Sequence, residues 1–258
     1  MKDIDDTQAP LLDHLIELRR RLLYCLAALV VTFFAALYFE RQIFSFLVQP
    51  LARAGQGTLV YTQIFEAFFV QVKVAFFAAI MVSFPVVANQ IWQFVAPGLY
   101  RKEKQALLPF LFATPVLFLL GAAMAYYVAI PLALHFLLGY QGDLGGGVKS
   151  EALPSIGNYL DFVMKFLFAF GVSFLLPVLM MLLERAGLVT RKQFVSVRRY
   201  AIVGAFILAA VLTPPDVGSQ LLLAVPLVLL YEIGLIGIWF TERRRAREPK
   251  EETETEAA

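Results

Sequence analysis

The stretch LLYCLAALVVTFFAALYF, residues 22–39, runs for 18 residues without a charged side chain and directly follows Arg19, Arg20 and Arg21. A helix that crosses a hydrocarbon core about 30 Å thick needs roughly 17–25 apolar residues, so this run predicts a transmembrane helix. The apolar region of a cleaved signal peptide is only about 7–15 residues long. A retained first membrane helix is therefore the better interpretation.

Five further apolar runs follow, so the sequence predicts an all-α polytopic membrane protein with six transmembrane helices. The composition agrees, because 60% of the 258 residues are hydrophobic and only 16% are charged, against about 25% charged residues in a soluble domain. Prolines inside several runs are tolerated in membrane helices, where neighbouring groups satisfy the freed backbone. The predicted spans are residues 22–39, 74–96, 106–130, 162–183, 200–212 and 220–240.

The last two spans are expected to be short. The fifth apolar run has 13 residues, which corresponds to about 20 Å at 1.5 Å per residue. The sixth is interrupted by Glu232. Residues 1–240 are interpreted as one integral-membrane domain, with short helices in the loop 40–72. Residues 241–258 are acidic and low in complexity, and we expect a disordered cytoplasmic tail.

The basic residues are distributed asymmetrically between the two sides of the membrane. Seventeen of the 22 lysines and arginines precede the first span, follow the last one, or lie in the loops after the second and fourth spans. The opposite loops contain only Arg41, Arg53 and Lys149. Because cytoplasmic loops are enriched in Lys and Arg, both termini are predicted to be cytoplasmic.

Sequence motifs of enzymes and metal sites are missing. The chain has one cysteine and two widely separated histidines, and it contains neither GxSxG nor HExxH. No enzyme activity, cofactor, metal or nucleic acid is expected. A small-solute or ion transporter is an alternative, but such proteins typically show internal repeats and paired charges inside the membrane. Glu232 is the only acid deep in a predicted span.

Four segments carry a resemblance to a known family. They are HLIELRRRL (14–22), FVAPGLYRKEK (94–104), FAFGVSFLLPV (168–178) and LTPPDVGSQ (212–220). With six spans, they are similar to TatC, the polytopic core subunit of the twin-arginine protein translocase. The resemblance covers roughly residues 8–240, and the motifs are specific in combination.

The resemblance implies a non-enzymatic receptor in the bacterial plasma (inner) membrane. TatC proteins bind twin-arginine signal peptides on the cytoplasmic side and recruit single-span TatA- and TatB-like subunits. Together they pass folded proteins across the lipid bilayer, using the proton-motive force. The family's signal-peptide site corresponds here to Glu17, Arg19, Phe94, Leu99, Tyr100 and Glu103.

Arginine chemistry supports two of these positions independently. A carboxylate accepts the planar fork of a guanidinium in a bidentate, charge-assisted pair, so Glu17 and Glu103 are candidate ligands for the paired arginines. Two structural alternatives remain open. Glu17 could instead pair with Arg21 four residues later on one helix face, and Glu103 could be a solvated loop acid.

Softer matches concern partner docking. Thr213, Asp216 and Gln220 match a polar patch at the last outer loop where partner helices dock, and Glu232 is a candidate for coupling or partner contact. The alternative for this loop is capping and backbone satisfaction. Pro50 matches a proline that shapes the periplasmic cap, or is a simple turn proline. Relatives often have a polar residue where this chain has Leu175 and Leu176. Asp161 and Lys165 are expected to pair.

Overall fold

The computed structural model describes the backbone of residues 5–95, 101–143, 149–150, 152–213 and 217–245. It divides into two compact units. The first comprises Met1–Val116 and Leu153–Met164, and the second comprises Leu117–Ala152 and Lys165–Ala258.

The described residues are almost entirely helical. Two two-residue strands, β1 (Gly142–Asp143) and β2 (Lys149–Ser150), pair antiparallel. The helices are α1 (Asp5–Tyr38), α2 (Glu40–Arg53), α3 (Glu66–Val95), α4 (Arg101–Met124), α5 (Ile130–Leu138), α6 (Ile156–Ser173), α7 (Leu176–Arg185), α8 (Arg191–Leu212) and α9 (Val217–Arg245), with a π-helical turn, Ala125–Ala129, between α4 and α5.

Six helical stretches of the described chain are long and apolar enough to cross a membrane, which confirms the predicted number. Their ends differ from the predicted ones, because good helix-forming residues such as Arg, Glu and Gln continue a helix beyond its apolar run. The six stretches are Leu15–Tyr38, Glu66–Phe94, Leu111–Leu138, Ile156–Arg185, Arg191–Leu212 and Val217–Arg243.

The fifth and sixth spanning helices are longer than expected. A capping box at Thr190 and Gln193 starts α8 nine residues before the apolar run, and α8 has 22 residues. The sixth, α9, has 29 residues. It continues to Arg245, so the first five residues of the expected disordered tail are helical. The rest of the tail lies outside the described residues.

In the first unit, α1 packs antiparallel against α3. The Thr32 hydroxyl lies at this contact, 2.8 Å from the Ala28 carbonyl of its own helix and 3.3 Å from the Ala79 carbonyl of α3. Small buried residues of α3, Ala75 and Ala79, allow the close approach. The contact fixes which ends of the two helices meet, and this determines the site described below.

The N-terminal ends of α3 and α6 are joined by one carboxylate. Glu66, in the first turn of α3, accepts hydrogen bonds from Thr62, Gln63 and the Gly157 amide at 2.8 Å. A Cβ at Gly157 would lie 2.8 Å from Glu66 Oε1, so only glycine permits this approach. The preceding segments form a parallel bridge between Val60 and Ser155.

A helix is confirmed in the predicted loop 40–72, where α2 carries Pro50 near its C-terminal end. Pro50 is buried, and the Tyr159 hydroxyl donates to the Leu47 carbonyl at 2.9 Å. Lys73 pairs with Asp161 at 2.7 Å. The expected Asp161–Lys165 pair is therefore corrected, because a lysine on another helix takes the carboxylate.

In the second unit, prolines mark the helix interruptions. Pro177 ends α6 and falls in the first turn of α7, where its missing N–H needs no partner. Leu175 and Leu176 lie at this break and are half-buried. The π-helical turn similarly precedes Pro131. Both breaks occur within single spanning stretches.

The core of the second unit lies where α9 packs against α7 and α8. Met180, Phe194, Tyr231, Leu235 and Ile238 form a buried cluster. The Tyr231 hydroxyl donates to the Phe194 carbonyl at 2.6 Å, which satisfies its polar tip inside this core. Gly234 makes room for Met180, whose sulfur would lie 2.7 Å from an added Cβ.

Candidate functional site

One arginine joins the middle of α1 to the end of α3. Arg21 donates from Nε, at 3.0 Å, and from Nη2 to Oε1 of Glu17, four residues earlier. Its Nη1 donates to Oε1 of Gln93 at 2.8 Å and lies 3.5 Å from Oε1 of Gln90. A single guanidinium therefore contacts a carboxylate on its own helix and two amide oxygens on a neighbouring helix.

A further amide orients the nearer of the two amide acceptors. Gln93 Nε2 donates to Oδ1 of Asn89 at 3.1 Å, which leaves Gln93 Oε1 directed at Arg21. Asn89, Gln90 and Gln93 all belong to the last two turns of α3. This end of α3 consequently presents side-chain amide oxygens, and not N–H donors, to the guanidinium.

The site is partly shielded from water. The Arg21 side chain is 14% exposed and that of Glu17 is 27% exposed. A hydrogen bond to a charged group contributes about 1.5–3 kcal/mol, whereas a solvent-exposed ion pair contributes about 0.2–1 kcal/mol. Because both side chains are largely shielded, we expect the Glu17–Arg21 interaction to contribute more free energy than a solvent-exposed ion pair does.

The structure contains the predicted structural alternative for Glu17, its pair with Arg21. The sequence reasoning missed Gln90 and Gln93, although a usable signal was present. Both are amides at the end of a strongly apolar run, where side chains of this kind need a partner. Arg19 lies two residues from Glu17, on another face of α1, and is exposed.

The remaining residues of the predicted signal-peptide site fall around the connection between α3 and α4. Phe94 is half-buried and follows Gln93 directly. Leu99 and Tyr100 lie outside the described residues. Glu103 is in the first turn of α4, but its side chain lies outside the described part. The indole of Trp92 donates to the Thr114 hydroxyl at 3.1 Å and so ties the end of α3 to α4.

A second ion pair joins α8 and α9 in the second unit. Arg198 Nη2 lies 2.7 Å from Oε2 of Glu232, the deep acid singled out from the sequence. The two side chains are 47% and 33% exposed. Glu232 is thus paired with a cation on the adjacent helix.

Two polar residues at the predicted docking patch bond to backbone carbonyls of α8. The buried Thr213 hydroxyl donates to the Ala209 carbonyl at 2.8 Å. Gln220 Nε2 donates to the Phe206 carbonyl at 3.2 Å. These bonds match the structural alternative of backbone satisfaction at a turn. Asp216 lies outside the described residues.

The His, Cys, Asp and Glu side chains are scattered in the part of the chain that the structure describes. No group of three or more His, Cys, Asp or Glu side chains lies close enough there to hold an ion. Among those residues, the charged groups form ion pairs such as Glu17–Arg21 and Arg198–Glu232 instead.

The chain was compared with known proteins. The family model TatC, Sec-independent protein translocase protein, matches residues 13–226. The Sec-independent protein translocase protein TatC of Magnetococcus marinus is 46% identical over 245 residues, which cover 94% of this chain and 89% of that protein. TatC of Escherichia coli K12 is 42% identical over 234 residues, covering 90% and 88% respectively.

A solved structure, the crystal structure of the twin-arginine translocase receptor TatC, matches with a TM-score of 0.76 at 37% identity. The match covers 86% of this chain and 96% of that one. These findings confirm the resemblance, the six-helix fold and a non-enzymatic protein, and they give no support to the transporter alternative. The chain is a multi-pass membrane protein and belongs to the TatC family of Sec-independent protein translocase proteins.

Proposed function

We propose that this chain is the signal-peptide receptor and core subunit of a twin-arginine translocase that exports folded proteins with the proton-motive force. The observation that carries the proposal is the guanidinium bonded by Glu17 and Gln93 where α1 meets α3. A surface that already binds one guanidinium has the chemistry that a paired-arginine peptide requires.

The proposed cellular location is the bacterial plasma (inner) membrane, with both termini in the cytoplasm. The distribution of charge supports this orientation, because 17 basic residues fall on the side of the termini and three in the opposite loops. In this orientation Glu17 and the loop after α3 are cytoplasmic. A signal peptide that emerges from synthesis would therefore reach them without crossing the bilayer.

The two arginines of the peptide need two groups of acceptors. We assign one arginine to Glu17 and the other to Glu103, since each carboxylate can accept a bidentate guanidinium. Phe94, Leu99 and Tyr100 would contact the apolar part of the peptide that follows the arginines. Arg19 and the basic residues around Glu103 would repel unrelated polycations.

Single-span TatA- and TatB-like subunits are the proposed partners. Thr213, Asp216 and Gln220 are the proposed docking patch, and Glu232 is the proposed coupling or contact residue. Side chains that bond to helix carbonyls, as Thr213 and Gln220 do, can rearrange to bond to a second helix in lipid. Pro50 is the proposed shaping residue of the periplasmic cap.

The test is site-specific photo-crosslinking in membranes that contain the partner subunits. A photoreactive residue at Leu18 reports on the surface next to Glu17, and one at Tyr38, exposed at the other end of α1, is the control. With an Arg-Arg signal peptide we expect an adduct at position 18 and none at position 38. A Lys-Lys peptide is expected to give much less.

A Glu103→Ala variant tests the second acceptor in the same assay. We expect the Arg-Arg adduct at position 18 to decrease while the variant remains folded. Equal adducts from Arg-Arg and Lys-Lys peptides would reduce the site to an unspecific interfacial contact. An absence of adducts in intact membranes would contradict the receptor function.

A further inference from the structure

The environment of Arg21 has more acceptors than an ion pair requires. Glu17 Oε1 accepts from both Nε and Nη2, and the two amide oxygens of α3 lie on the Nη1 side. The amide oxygens neutralise no charge. They supply directional acceptors around the edge of a planar fork, as guanidinium recognition requires.

We propose that Glu17, Gln90 and Gln93 form a guanidinium subsite that Arg21 fills when no peptide is bound. An arginine of the signal peptide takes over the same acceptors, and Arg21 is thereby an internal competitor. This inference rests on the proposed function and deepens it. It adds Gln90 and Gln93 as specificity-determining residues. It also assigns a role to Arg21, which has none when the peptide arginines are paired only with the two carboxylates.

The geometry favours arginine over lysine at this subsite. The acceptors belong to two helices and bond different nitrogens of the same plane, Nε and Nη2 on one side and Nη1 on the other. A lysine ammonium is one compact donor and cannot contact both sides at once. Discrimination between Arg-Arg and Lys-Lys peptides should therefore depend on Gln93, whose 2.8 Å bond is the shorter of the two amide contacts.

Exchange of one arginine for another conserves the bonds of the subsite. The long Arg21 side chain can turn its charged end to water while its stem stays on the apolar surface. While Arg21 fills the subsite, a chain cannot bind peptide there. The apparent dissociation constant of the peptide is therefore the intrinsic one divided by the fraction of chains whose subsite is unfilled. If Arg21 fills the subsite about 90% of the time, removing it strengthens peptide binding about tenfold.

The chain offers a matched control for this experiment. Arg20 is the adjacent residue and is exposed, so Arg20→Gln removes the same charge from the same turn but leaves the subsite filled. Binding of a fluorescent Arg-Arg signal peptide to the full-length protein in nanodiscs would be measured by anisotropy. We expect Arg21→Gln to bind about tenfold more tightly than the wild type, and Arg20→Gln less than threefold more tightly.

Several outcomes would overturn the inference. Binding by Arg21→Gln that is no tighter than binding by Arg20→Gln excludes competition. Weaker binding would make Arg21 a residue that positions Glu17. If Arg21→Gln does not fold, Arg21→Lys replaces it, because an ammonium is a poorer occupant. That variant should bind several-fold more tightly than the wild type, and unchanged affinity contradicts the proposal.

The proposed function and this inference fail in different ways. A wild-type chain that binds Arg-Arg and Lys-Lys peptides equally, or binds neither, overturns both. A wild-type chain that prefers Arg-Arg, combined with an Arg21→Gln variant that is no tighter than Arg20→Gln, overturns the inference alone. Preference for Arg-Arg together with the tenfold gain supports both.

Discussion

Two ion pairs of the described chain, Glu17–Arg21 within α1 and Arg198–Glu232 between α8 and α9, differ in what surrounds them. Arg21 and Glu17 are 14% and 27% exposed, and two glutamines from α3 direct their amide oxygens at the same guanidinium. Arg198 and Glu232 are 47% and 33% exposed, and Arg198 bonds Glu232 alone among the described residues. Each pair neutralises one charge with one opposite charge.

The difference bears on which of the two places is the better candidate for peptide recognition. A one-to-one pair at moderate exposure is accounted for by holding α8 and α9 in register. Acceptors beyond the number needed for neutrality are better accounted for by recognition, because they add directional bonds to the planar guanidinium without neutralising charge. We therefore propose peptide recognition for the α1–α3 site, whereas the Arg198–Glu232 bond links α8 to α9.

The largest expected effect is the loss of peptide binding in Glu17→Gln. In the Arg21→Gln background, where no internal arginine competes for the same acceptors, the variant replaces a charge-assisted bond by a neutral one, about 1.5–3 kcal/mol. Arg-Arg peptide binding is then expected to weaken roughly 10–100-fold. Anisotropy titration in nanodiscs measures it. The matched control is Arg198→Gln, which breaks the other ion pair and should change the affinity by less than about twofold. Similar losses of peptide affinity in Glu17→Gln and Arg198→Gln would contradict the distinction drawn between the two ion pairs.

The next effect concerns stability. A double-mutant cycle of Glu17→Gln and Arg21→Gln should give a coupling free energy of about 1.5–2 kcal/mol, as expected for a shielded charged hydrogen bond. The cycle of Arg198→Gln and Glu232→Gln should give about 0.5–1 kcal/mol, because both side chains are more exposed. Reversible unfolding in mixed micelles measures both. Equal couplings would mean that burial does not distinguish the pairs.

A smaller effect is expected at the amides. In the Arg21→Gln background, Gln93→Leu should weaken binding of the Arg-Arg peptide about threefold and leave that of the Lys-Lys peptide unchanged, since it removes one neutral acceptor of about 0.5–1.5 kcal/mol. Gln90→Leu should change less, because its oxygen is 3.5 Å from Arg21 Nη1 instead of 2.8 Å. A larger loss of affinity in Gln90→Leu than in Gln93→Leu would mean that Gln90, and not Gln93, is the main amide acceptor for the peptide arginine.

The smallest effect is the salt dependence of the two couplings. Raising the ionic strength from about 0.05 M to 0.5 M shortens the Debye length to a few ångströms and screens exposed charges first. The Arg198–Glu232 coupling should fall by a few tenths of a kcal/mol. The less exposed Glu17–Arg21 coupling should fall less, and repeating both cycles at the two salt concentrations checks this.

The number of membrane spans could be predicted from the sequence. The six spans follow from apolar runs whose length is set by bilayer thickness. The exact ends were less predictable. The start of α8 depends on a capping box at Thr190 and Gln193 that lies in a polar segment outside the apolar run.

The candidate site was only partly predictable. The spacing of Glu17 and Arg21 gave their pair as an alternative, because residues four apart share a helix face. The spacing of Asp161 and Lys165 gave a pair by the same rule, yet Asp161 bonds Lys73 on α3. The rule identifies neighbours on one helix and says nothing about competitors on another.

By itself, the sequence determined the class of the protein, its six spans and its family, because these depend on local composition and on motifs read along the chain. Only the tertiary structure decided that Gln93, 72 residues from Arg21, bonds the same guanidinium as Glu17. The physical reason is that contacts between helices depend on their rotation and register. In this chain those are set by packing such as the Thr32 contact with Ala79, not by periodicity.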